Sequence, residues 1–325
     1  MEKIHVSIIN HDKTIGNTRL EVRIKGSIID YIVMNTIRRS ILSYVPIYAF
    51  TEFKFEKNTS IFNNNYIKLR LINMPVWGIN NTNVIFKEEK HINKTVIDEV
   101  DDETNDTFEE KFSETTKSDN QLTMYVHYKN DTTNNISVTT NNAKFYYNNK
   151  QIVSPYLSPI PIVDLQPRQE IGLSATTTLN IEDHNAIFSP VSTCSYKQLN
   201  ENDFELYLSS RGQITEHQII HVAIDNIIDR INNINTQLKD NNNIDNLEGI
   251  ININNEDHTI GNLLSRGLQL HKNISFGGYR VTHPLNKQIE LHYKLKNKGN
   301  INNIMKDVIN TYTELFTKIK NLLGS

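Results

Sequence analysis

The sequence predicts an α+β protein made of two similar units, the first of which is interrupted by a β-rich inserted domain. Three observations support this fold class: a long central stretch with strand-like alternation, two long helical patterns with apolar stripes, and a short motif that occurs twice. With 325 residues, the chain is long enough to bury a substantial core and to form two or three domains.

The charge balance argues against a nucleic-acid-binding surface. The chain has 34 Lys and Arg residues against 37 Asp and Glu residues, and its net charge is −3. A protein that grips DNA usually has a basic excess, and an independent nucleic-acid-binding protein would bind DNA with a steep salt dependence. We therefore expect little or no direct nucleic-acid contact from this chain.

Cysteine and hydropathy indicate the compartment. Cys194 is the single cysteine, which excludes an internal disulfide framework and any zinc site with two or more thiolates. The N-terminal residues lack the apolar core of a signal peptide, and no stretch approaches the roughly 18 apolar residues of a membrane span. We expect an intracellular protein in a reducing compartment, with no membrane partner.

The first unit begins with a strand and a short helix. Residues 18–25 alternate apolar and polar side chains, which is typical of a strand. Asp30 is a suitable N-cap for a helix because its carboxylate can accept the unpaired N–H groups of the first turn. We expect this helix to stop at Val45-Pro46, with an apolar face formed by Ile32, Val33, Ile37, Ile41 and Leu42.

The central stretch, from Thr51 to about Pro190, is predicted to be mostly strands. The strand-like segments are TEFKFEK, YIKLRLI, QLTMYVHYK, NISVTT, AKFYY and EIGLSATTTLNI. Residues 98–119 carry ten acidic and two basic side chains, which is typical of a solvated, mobile loop.

Two long helices are predicted after this stretch. The first carries apolar residues at helical spacing from Ile220 to Leu238, and the second carries Ile301, Ile304, Val308, Tyr312, Leu315, Ile319 and Leu322. Such narrow stripes pack one helix against another, although ordinary core packing would produce them too. The polar residues 240–246 are expected to form a linker.

An internal duplication relates the two units. Asp30, Asn35 and Arg39 have the same spacing as Asp257, Asn262 and Arg266, and a helical pattern follows both aspartates. Residues 10–17 match residues 255–262 more closely, but strand-like sequence follows Asn17, so we interpret that match as chance. Two paired units of one kind would form a two-fold-like interface.

Residues 256–285, EDHTIGNLLSRGLQLHKNISFGGYRVTHPL, resemble the signature of the eleventh-largest-type subunit of eukaryotic RNA polymerase II and its archaeal counterpart. The resemblance implies that the subunit-assembly residues of this half include Asp257, His258, Gly261, Asn262, Gly278, Tyr279, His283 and Pro284.

Residues 30–75 and 160–190 resemble the third-largest-type subunit of the same enzyme. The match lies in Asn-x-Ile-Arg-Arg at residues 35–39, the Val-Pro-Ile at 45–47, an Asn-Thr-Ser, and an Ile-x-x-Arg-Leu-x-x-x-Pro. In cellular enzymes these two subunits are separate and form a heterodimer equivalent to the bacterial alpha dimer. Here both lie in one chain, similar to fusions in large DNA viruses of eukaryotes.

The resemblance implies a domain organisation. Residues 1–46 and 190–239 would form the first alpha-subunit-like dimerisation unit, and residues 47–189 the β-rich inserted domain. Residues 240–246 would link these to the second dimerisation unit, residues 247–325. The two units would pair within one chain, as an intramolecular pseudo-dimer rather than a homodimer.

The implied function is that of a structural assembly subunit of a DNA-directed RNA polymerase. Its partners would be the two largest, catalytic subunits and small polymerase subunits. It would act in the host cytoplasm, at a viral factory, or in the nucleus, and could be packaged in virions. The alternative is an interaction scaffold of viral particles or factories that kept the fold without the polymerase.

Two departures from the family bear on cofactors and contacts. Cellular relatives often carry a cysteine cluster for zinc or an iron–sulfur cluster in the inserted domain, and this chain has none there, so we predict no metal and no cofactor. An acidic-His-Ala-Lys-Trp segment is replaced by His184–Phe188, without its charge.

No catalytic residue is predicted. The chain lacks the spaced aspartates of a Mg²⁺ site, a phosphate-binding glycine loop and a Gly-x-Ser-x-Gly nucleophile motif, and Asp101-Asp102 lies in the acidic stretch. His258 and His283 have no companions at ligand spacing, so we expect them to form structural hydrogen bonds.

Arg38 and Arg39 are the strongest contact candidates. Adjacent helical residues point about 100° apart, so one arginine can face the other unit while its neighbour reaches a larger subunit. A solvated helix face would be the simpler explanation. Asn35 and Asn262 are expected to fix the backbone at equivalent turns.

Overall fold

The computed structural model describes residues 4–14, 17–77, 79, 121–238, 247–283 and 287–324. The acidic stretch 98–119, the linker 240–246 and Pro284 lie outside the described residues. The chain divides into two compact units, Met1–Val45 with Pro190–Ser325, and Pro46–Ser189. Among the described helices, none has the length and apolar character to cross a membrane.

The elements in chain order are β1 His5–Thr14, β2 Asn17–Lys25, α1 Tyr31–Ser43, β3 Ile47–Asn58, α2 Asn64–Ile72, β4 Leu122–Lys129, β5 Ile136–Thr139, β6 Ala143–Tyr147, β7 Lys150–Ile152, β8 Pro161–Leu165, β9 Glu170–Asn180, β10 Val191–Asn200, β11 Asp203–Ser210, α3 Glu216–Gln237, β12 Glu248–Asn254, α4 His258–Leu270, β13 Ile274–Val281, β14 Gln288–Leu295 and α5 Ile301–Leu323. Among the described residues, short 3-10 turns occur at Thr140–Asn142 and Ala186–Phe188.

The larger unit contains one topology twice. In the first half, which comprises the described residues up to 45 and from 190 to 238, β2, β11 and β10 are neighbours in that order, with β1 added at the edge beside β2. In the second half, residues 247–283 and 287–324, the order β12, β14, β13 is the same. Every pairing is antiparallel. Each half therefore runs strand, short helix, two strands, long helix.

The two short helices begin as the duplicated motif predicts. Asp30 accepts hydrogen bonds from the N–H groups of Ile32 and Val33, both at 3.0 Å, and so caps α1. Asp257 accepts from the N–H of Thr259 at 2.8 Å and caps α4. Asn17 begins a strand instead, so the closer match at residues 10–17 is not the structural repeat.

The inserted residues interrupt one connection of the first half. The chain leaves α1 and returns at β10 only after residues 46–189, whereas α4 and β13 are joined directly by residues 271–273. The β-rich insertion therefore belongs to the first copy of the topology.

The two long helices bury equivalent positions. When their N-caps, Thr215 and Asn300, are aligned, all eight buried residues of α3 fall on buried residues of α5. The equivalent pairs are 216 with 301, 219 with 304, 220 with 305, 223 with 308, 224 with 309, 227 with 312, 231 with 316 and 234 with 319. The prediction for Leu322 was wrong: its side chain is 45% exposed, and Leu323 is the buried residue of the last turn.

Both halves contribute to a single hydrophobic core. Buried residues from the first half, such as Ile37 and Ile227, belong to the same cluster as Leu264 and Phe316 of the second half. Because a shared core can only form when both halves are present, their association is part of the folding of this unit.

The unit Pro46–Ser189 has its own core. A five-stranded sheet in the order β3, β9, β4, β6, β7 packs with α2 and with the two-stranded sheet of β5 and β8. Phe50, Phe145 and Leu165 are fully buried there.

One strand predicted in this unit is a helix. Residues 66–72 alternate like a strand, but they lie in α2, whose N-cap Asn63 accepts from the N–H of Tyr66 at 2.8 Å. The buried residues are Ile67 and Leu71, four apart on one helical face, while Leu69 is 60% exposed. The tertiary contacts select one apolar face, so the local alternation does not decide the structure.

Candidate functional site: the interface between the halves

The duplicated arginines cross between the two halves. Arg39 of α1 donates through Nε to Oγ1 of Thr259 at 2.8 Å, and its terminal nitrogen lies 3.9 Å from Oδ2 of Asp257. Arg266 of α4 donates through Nε to Oδ2 of Asp30 at 2.9 Å. Each arginine thus reaches the N-terminus of the other half's helix, which is the reciprocal pattern of a two-fold-like interface.

Asp257 is the most heavily bonded of these groups. Its Oδ2 accepts from the hydroxyl of Tyr44 at 2.6 Å, and its Oδ1 accepts from Arg230 at 3.0 Å. Burial acts to raise the pKa of Asp257, but Arg230, Tyr44 and the N–H of Thr259 stabilise the ionised form and lower the pKa to about 2.

Arg230 of α3 is a buried cation in the same cluster. It donates to Oε2 of Glu256 at 3.1 and 2.6 Å, and its guanidinium carbon lies 4.4 Å from the ring centroid of Tyr44. The side chains of Arg230 and Glu256 are only 13% and 5% exposed. Burial lowers the pKa of Arg230, but Glu256, Tyr44 and Asp257 together raise it above its usual value.

The second half carries a cluster of the residues expected from its motif. The Tyr279 ring of β13 lies over Gly261 of α4 so closely that a Cβ at Gly261 would be 2.6 Å from Cδ2 of the ring. The exposed His258 ring meets the Tyr279 ring edge-on at 5.8 Å, with Nδ1 3.3 Å from the hydroxyl. Burial raises the pKa of Tyr279. These contacts position the start of α4 against its own sheet.

The remaining motif residues have varied positions. Gly278 lies in β13, where a Cβ would meet the ring of Phe276 at 3.1 Å. Asn262 is partly buried in the first turns of α4, and His283 is exposed just after β13. Asn35 and Asn262 lie at equivalent positions inside α1 and α4, five residues after the caps Asp30 and Asp257, and their effect on the backbone stays a prediction.

Asn35 orients an arginine. Its Oδ1 accepts from Nε and a terminal nitrogen of Arg38 at 3.1 and 2.9 Å, one turn further along α1. Burial raises the pKa of the Cys194 thiol of β10 to about 12, and the charge of nearby Arg38 acts in the opposite direction. Arg38 and Arg39 therefore point in different directions, and Arg39 alone makes a described contact with the other half.

The altered segment His184–Phe188 contains the 3-10 turn Ala186–Phe188. Asn185 caps the turn by accepting from the N–H of Ile187 at 3.1 Å, and Phe188 is fully buried. Within the part of the chain that the structure describes, no three His, Cys, Asp or Glu side chains are placed to hold a metal ion.

Sequence reasoning missed Tyr44, Arg230 and Glu256. Arg230 lies one residue before Ile231 of the apolar stripe. Apolar periodicity selects Ile231 as the buried residue and gives no reason to expect a buried arginine beside it. Comparison of the two long helices would have indicated Arg230. When they are aligned at their caps, Arg230 takes the position of Leu315, which is buried.

Comparison with known proteins places the chain beside RNA polymerase subunits. Residues 248–322, from the start of β12 into the last turn of α5, match the family of the RNA polymerase Rpb3/Rpb11 dimerisation domain. Over 94% of its length the chain is 24% identical to a putative DNA-directed RNA polymerase subunit, R470, of Acanthamoeba polyphaga mimivirus, and covers 90% of that protein. The chain therefore resembles a viral RNA polymerase subunit along almost its whole length and carries an Rpb3/Rpb11-type dimerisation domain in its second half.

A cellular relative matches a shorter stretch of the chain. RNA polymerase II subunit rpb11 of Dictyostelium discoideum is 33% identical over 20% of the chain, which covers 55% of that subunit. The recognised dimerisation domain and the first half share one strand order, so the chain contains this topology twice.

Proposed function

We propose that this chain is the non-catalytic assembly subunit of a viral DNA-directed RNA polymerase, and that its two paired halves form the platform on which the two largest, catalytic subunits dock. The observation that carries the proposal is the reciprocal contact of Arg39 and Arg266 with the opposite helix starts, over a core that both halves share. Reciprocal contacts of this kind support the pairing of two similar units within one chain.

Fusion suits such a platform. Joining the halves raises the effective concentration of one near the other to the order of millimolar for a short linker, and it fixes their ratio at one to one. We infer that the chain acts as a monomer towards its partners, in the cytoplasm or nucleus of the infected cell.

Arg38 is the residue we assign to contact with a large subunit. Arg39 is engaged by Thr259 of the other half, whereas Arg38 is held by Asn35 on its own helix and is a partly buried residue. An arginine pre-oriented in this way can pair bidentately with a carboxylate of a partner at a low cost in conformational entropy.

The proposal is tested by isolating the tagged chain from infected cells and identifying its partners by mass spectrometry. We expect two much larger polypeptides with polymerase activity, at one copy of this chain per complex. Recovery as a free homodimer without large partners would overturn the platform, and recovery with structural particle proteins alone would favour a scaffold outside the polymerase.

The role of Arg38 is tested in the same isolation. Arg38→Ala should lower recovery of the large subunits at least tenfold while the chain keeps its thermal stability, because its partner Asn35 lies on the same helix. Arg280→Ala is the control, since that arginine also pairs with a residue of its own half, Glu290, and is 65% exposed. Equal recovery for both variants would refute the assignment.

A further inference from the structure

The Arg230–Glu256 pair has no counterpart on the other side of the pseudo-two-fold interface. Aligning the helix caps Asp30 with Asp257 places Ile29 at the position of Glu256, directly before each cap. Aligning the caps of the long helices places Leu315 at the position of Arg230. Where one side of the interface has a salt bridge, the equivalent positions on the other side are both aliphatic.

Ile29, Leu315 and Glu256 are buried, and Arg230 is nearly so. Ile29 and Leu315 are 0% and 3% exposed and belong to the common core, and the side chains of Glu256 and Arg230 are 5% and 13% exposed. Tyr312, one turn before Leu315, lies near Asp30 and Arg266, so α5 approaches the start of α1 as α3 approaches the start of α4. The salt bridge and the aliphatic pair therefore occupy equivalent places on the two sides of the interface.

We propose that this one-sided salt bridge determines pairing specificity, so that the first half accepts the second half and neither half pairs with a copy of itself. Two first halves would bury Arg230 against Ile29 at both equivalent positions. Two second halves would bury Glu256 against Leu315 at both. Between two second halves Glu256 would have no arginine at its side, and between two first halves Arg230 would keep only the capping aspartate equivalent to Asp257. Loss of a buried charge partner is unfavourable, so both homotypic pairings are disfavoured.

The partner excluded by this device is a second copy of this chain. Two copies could otherwise exchange halves, because each carries the same fold twice and the halves are joined by a short segment. The inference rests on the pairing of the halves and not on polymerase assembly, so its failure would leave the co-isolation experiment unaffected.

Single substitutions recreate each homotypic junction inside the full chain. Arg230→Leu sets a leucine against Glu256, as two second halves would. Glu256→Ile sets an isoleucine against Arg230, as two first halves would. The double variant, Arg230→Leu with Glu256→Ile, places two aliphatic residues at this junction, as Ile29 and Leu315 do at the equivalent positions.

Denaturant unfolding of these variants measures the penalty. We expect Arg230→Leu to lower the folding equilibrium constant at least about 100-fold, and Glu256→Ile at least about tenfold because Arg230 keeps Asp257. The double variant should be at least about tenfold more stable than Arg230→Leu, since an apolar pair replaces an ion pair without an unpaired charge. A cost below tenfold for Arg230→Leu, or no recovery in the double variant, would overturn the proposal.

The chain contains a matched control pair. Arg280 donates to Oε2 of Glu290 at 3.0 and 2.6 Å, nearly the geometry of Arg230 and Glu256, but Arg280 is 65% exposed. Arg280→Leu should change the folding equilibrium constant less than about tenfold, because an exposed ion pair contributes little. A similar loss at both arginines would mean that burial at the interface is not what makes the pair selective.

A mixing experiment tests specificity directly. The two single variants, Arg230→Leu and Glu256→Ile, are unfolded together and refolded. The leucine introduced in one chain can then face the isoleucine introduced in the other, while the native Arg230–Glu256 pair forms across the second junction. We expect a complex of twice the monomer mass by light scattering in the mixture, and monomers from each variant alone. Monomers only in the mixture would refute the role in pairing even if the stability cycle holds.

Discussion

Asp257 combines two functions in one carboxylate. It caps α4 through the N–H of Thr259, and it accepts bonds from Tyr44 and Arg230 of the first half. A capping side chain is normally solvated, but here it is partly buried in the interface, which makes it sensitive to its charge partners. Helix initiation and the association of the halves are thus coupled at this residue.

This coupling predicts a pH-dependent contribution to stability. The pKa of Asp257 is lowered from 3.8 to about 2, so its ionised form stabilises the fold above pH 3.8, and this is lost as the pH falls towards 2. Above pH 3.8, the ionised Asp257 contributes about 2 kcal/mol to the free energy of unfolding.

Chemical denaturation of the native chain and of Asp257→Asn measures it. The difference in the free energy of unfolding between the two proteins should be largest near neutral pH and should narrow as the pH falls from about 5 towards 2. A difference that is constant across this range would contradict the assignment.

Gly261 offers a prediction about close packing. A methyl group there would lie 2.6 Å from the Tyr279 ring, so Gly261→Ala should destabilise the unit by about 1–3 kcal/mol through overpacking. Thermal unfolding measures the loss. Gly299→Ala is the control, since its nearest atom beyond its chain neighbours is 3.9 Å away. Equal melting temperatures for the two variants would show that the ring moves aside freely.

Among the elements, the long helices show how closely the halves repeat. Their buried positions coincide through the last turn, where Leu238 and Leu323 are equivalent and both buried. The apolar stripe predicted from the sequence includes Leu322. A helical repeat of 3.6 residues is compatible with burial of either Leu322 or Leu323 at the end of a long pattern. The neighbouring core decides which one is buried.

The end of α5 therefore supports a paired test. Leu323→Ala should lower the free energy of unfolding by about 2 kcal/mol, at the low end for a buried leucine because helix ends relax readily. Leu322→Ala should change it by less than about 0.5 kcal/mol, since that side chain is 45% exposed. Denaturant titration compares them, and a larger loss at Leu322 would contradict this register.

The elements also show which features the sequence could reveal. Capping aspartates and long apolar stripes are local signals, and α1, α4, α3 and α5 were predicted from them. The helix α2 was not, because its short segment satisfies a strand period as well as a helical one. Strand β1 was also overlooked, since its apolar content is low and its partner β2 supplies the pairing.

At the scale of the whole molecule, the duplicated motif could be found from the sequence, but the exchange between halves could not. The motif places Arg39 and Arg266 at equivalent positions, yet it does not reveal that each reaches the other half's cap. Tyr44, Arg230 and Glu256 come together only because the halves pack, and no local periodicity predicts a contact between residues so distant in sequence.

The shared core predicts unfolding that is independent of protein concentration. In a separate heterodimer, dilution favours the unfolded chains, but here association is intramolecular. The melting temperature of the intact chain should therefore be the same over a hundredfold range of concentration, as differential scanning fluorimetry or calorimetry can measure. A melting temperature that rises with concentration would indicate that pairing occurs between chains.

The position of the insertion supports a more demanding prediction. In the second half, residues 271–273 connect α4 to β13. The equivalent connection in the first half contains residues 46–189, which form a compact unit with its own core. Replacing residues 46–189 with the sequence of residues 271–273 should therefore leave the paired halves folded, because it restores in one copy the connection that the other already uses. The shortened chain should unfold cooperatively, with a lower denaturant m-value in proportion to the surface removed. Loss of a cooperative transition would show that the halves depend on the inserted unit, despite the duplicated topology that they share.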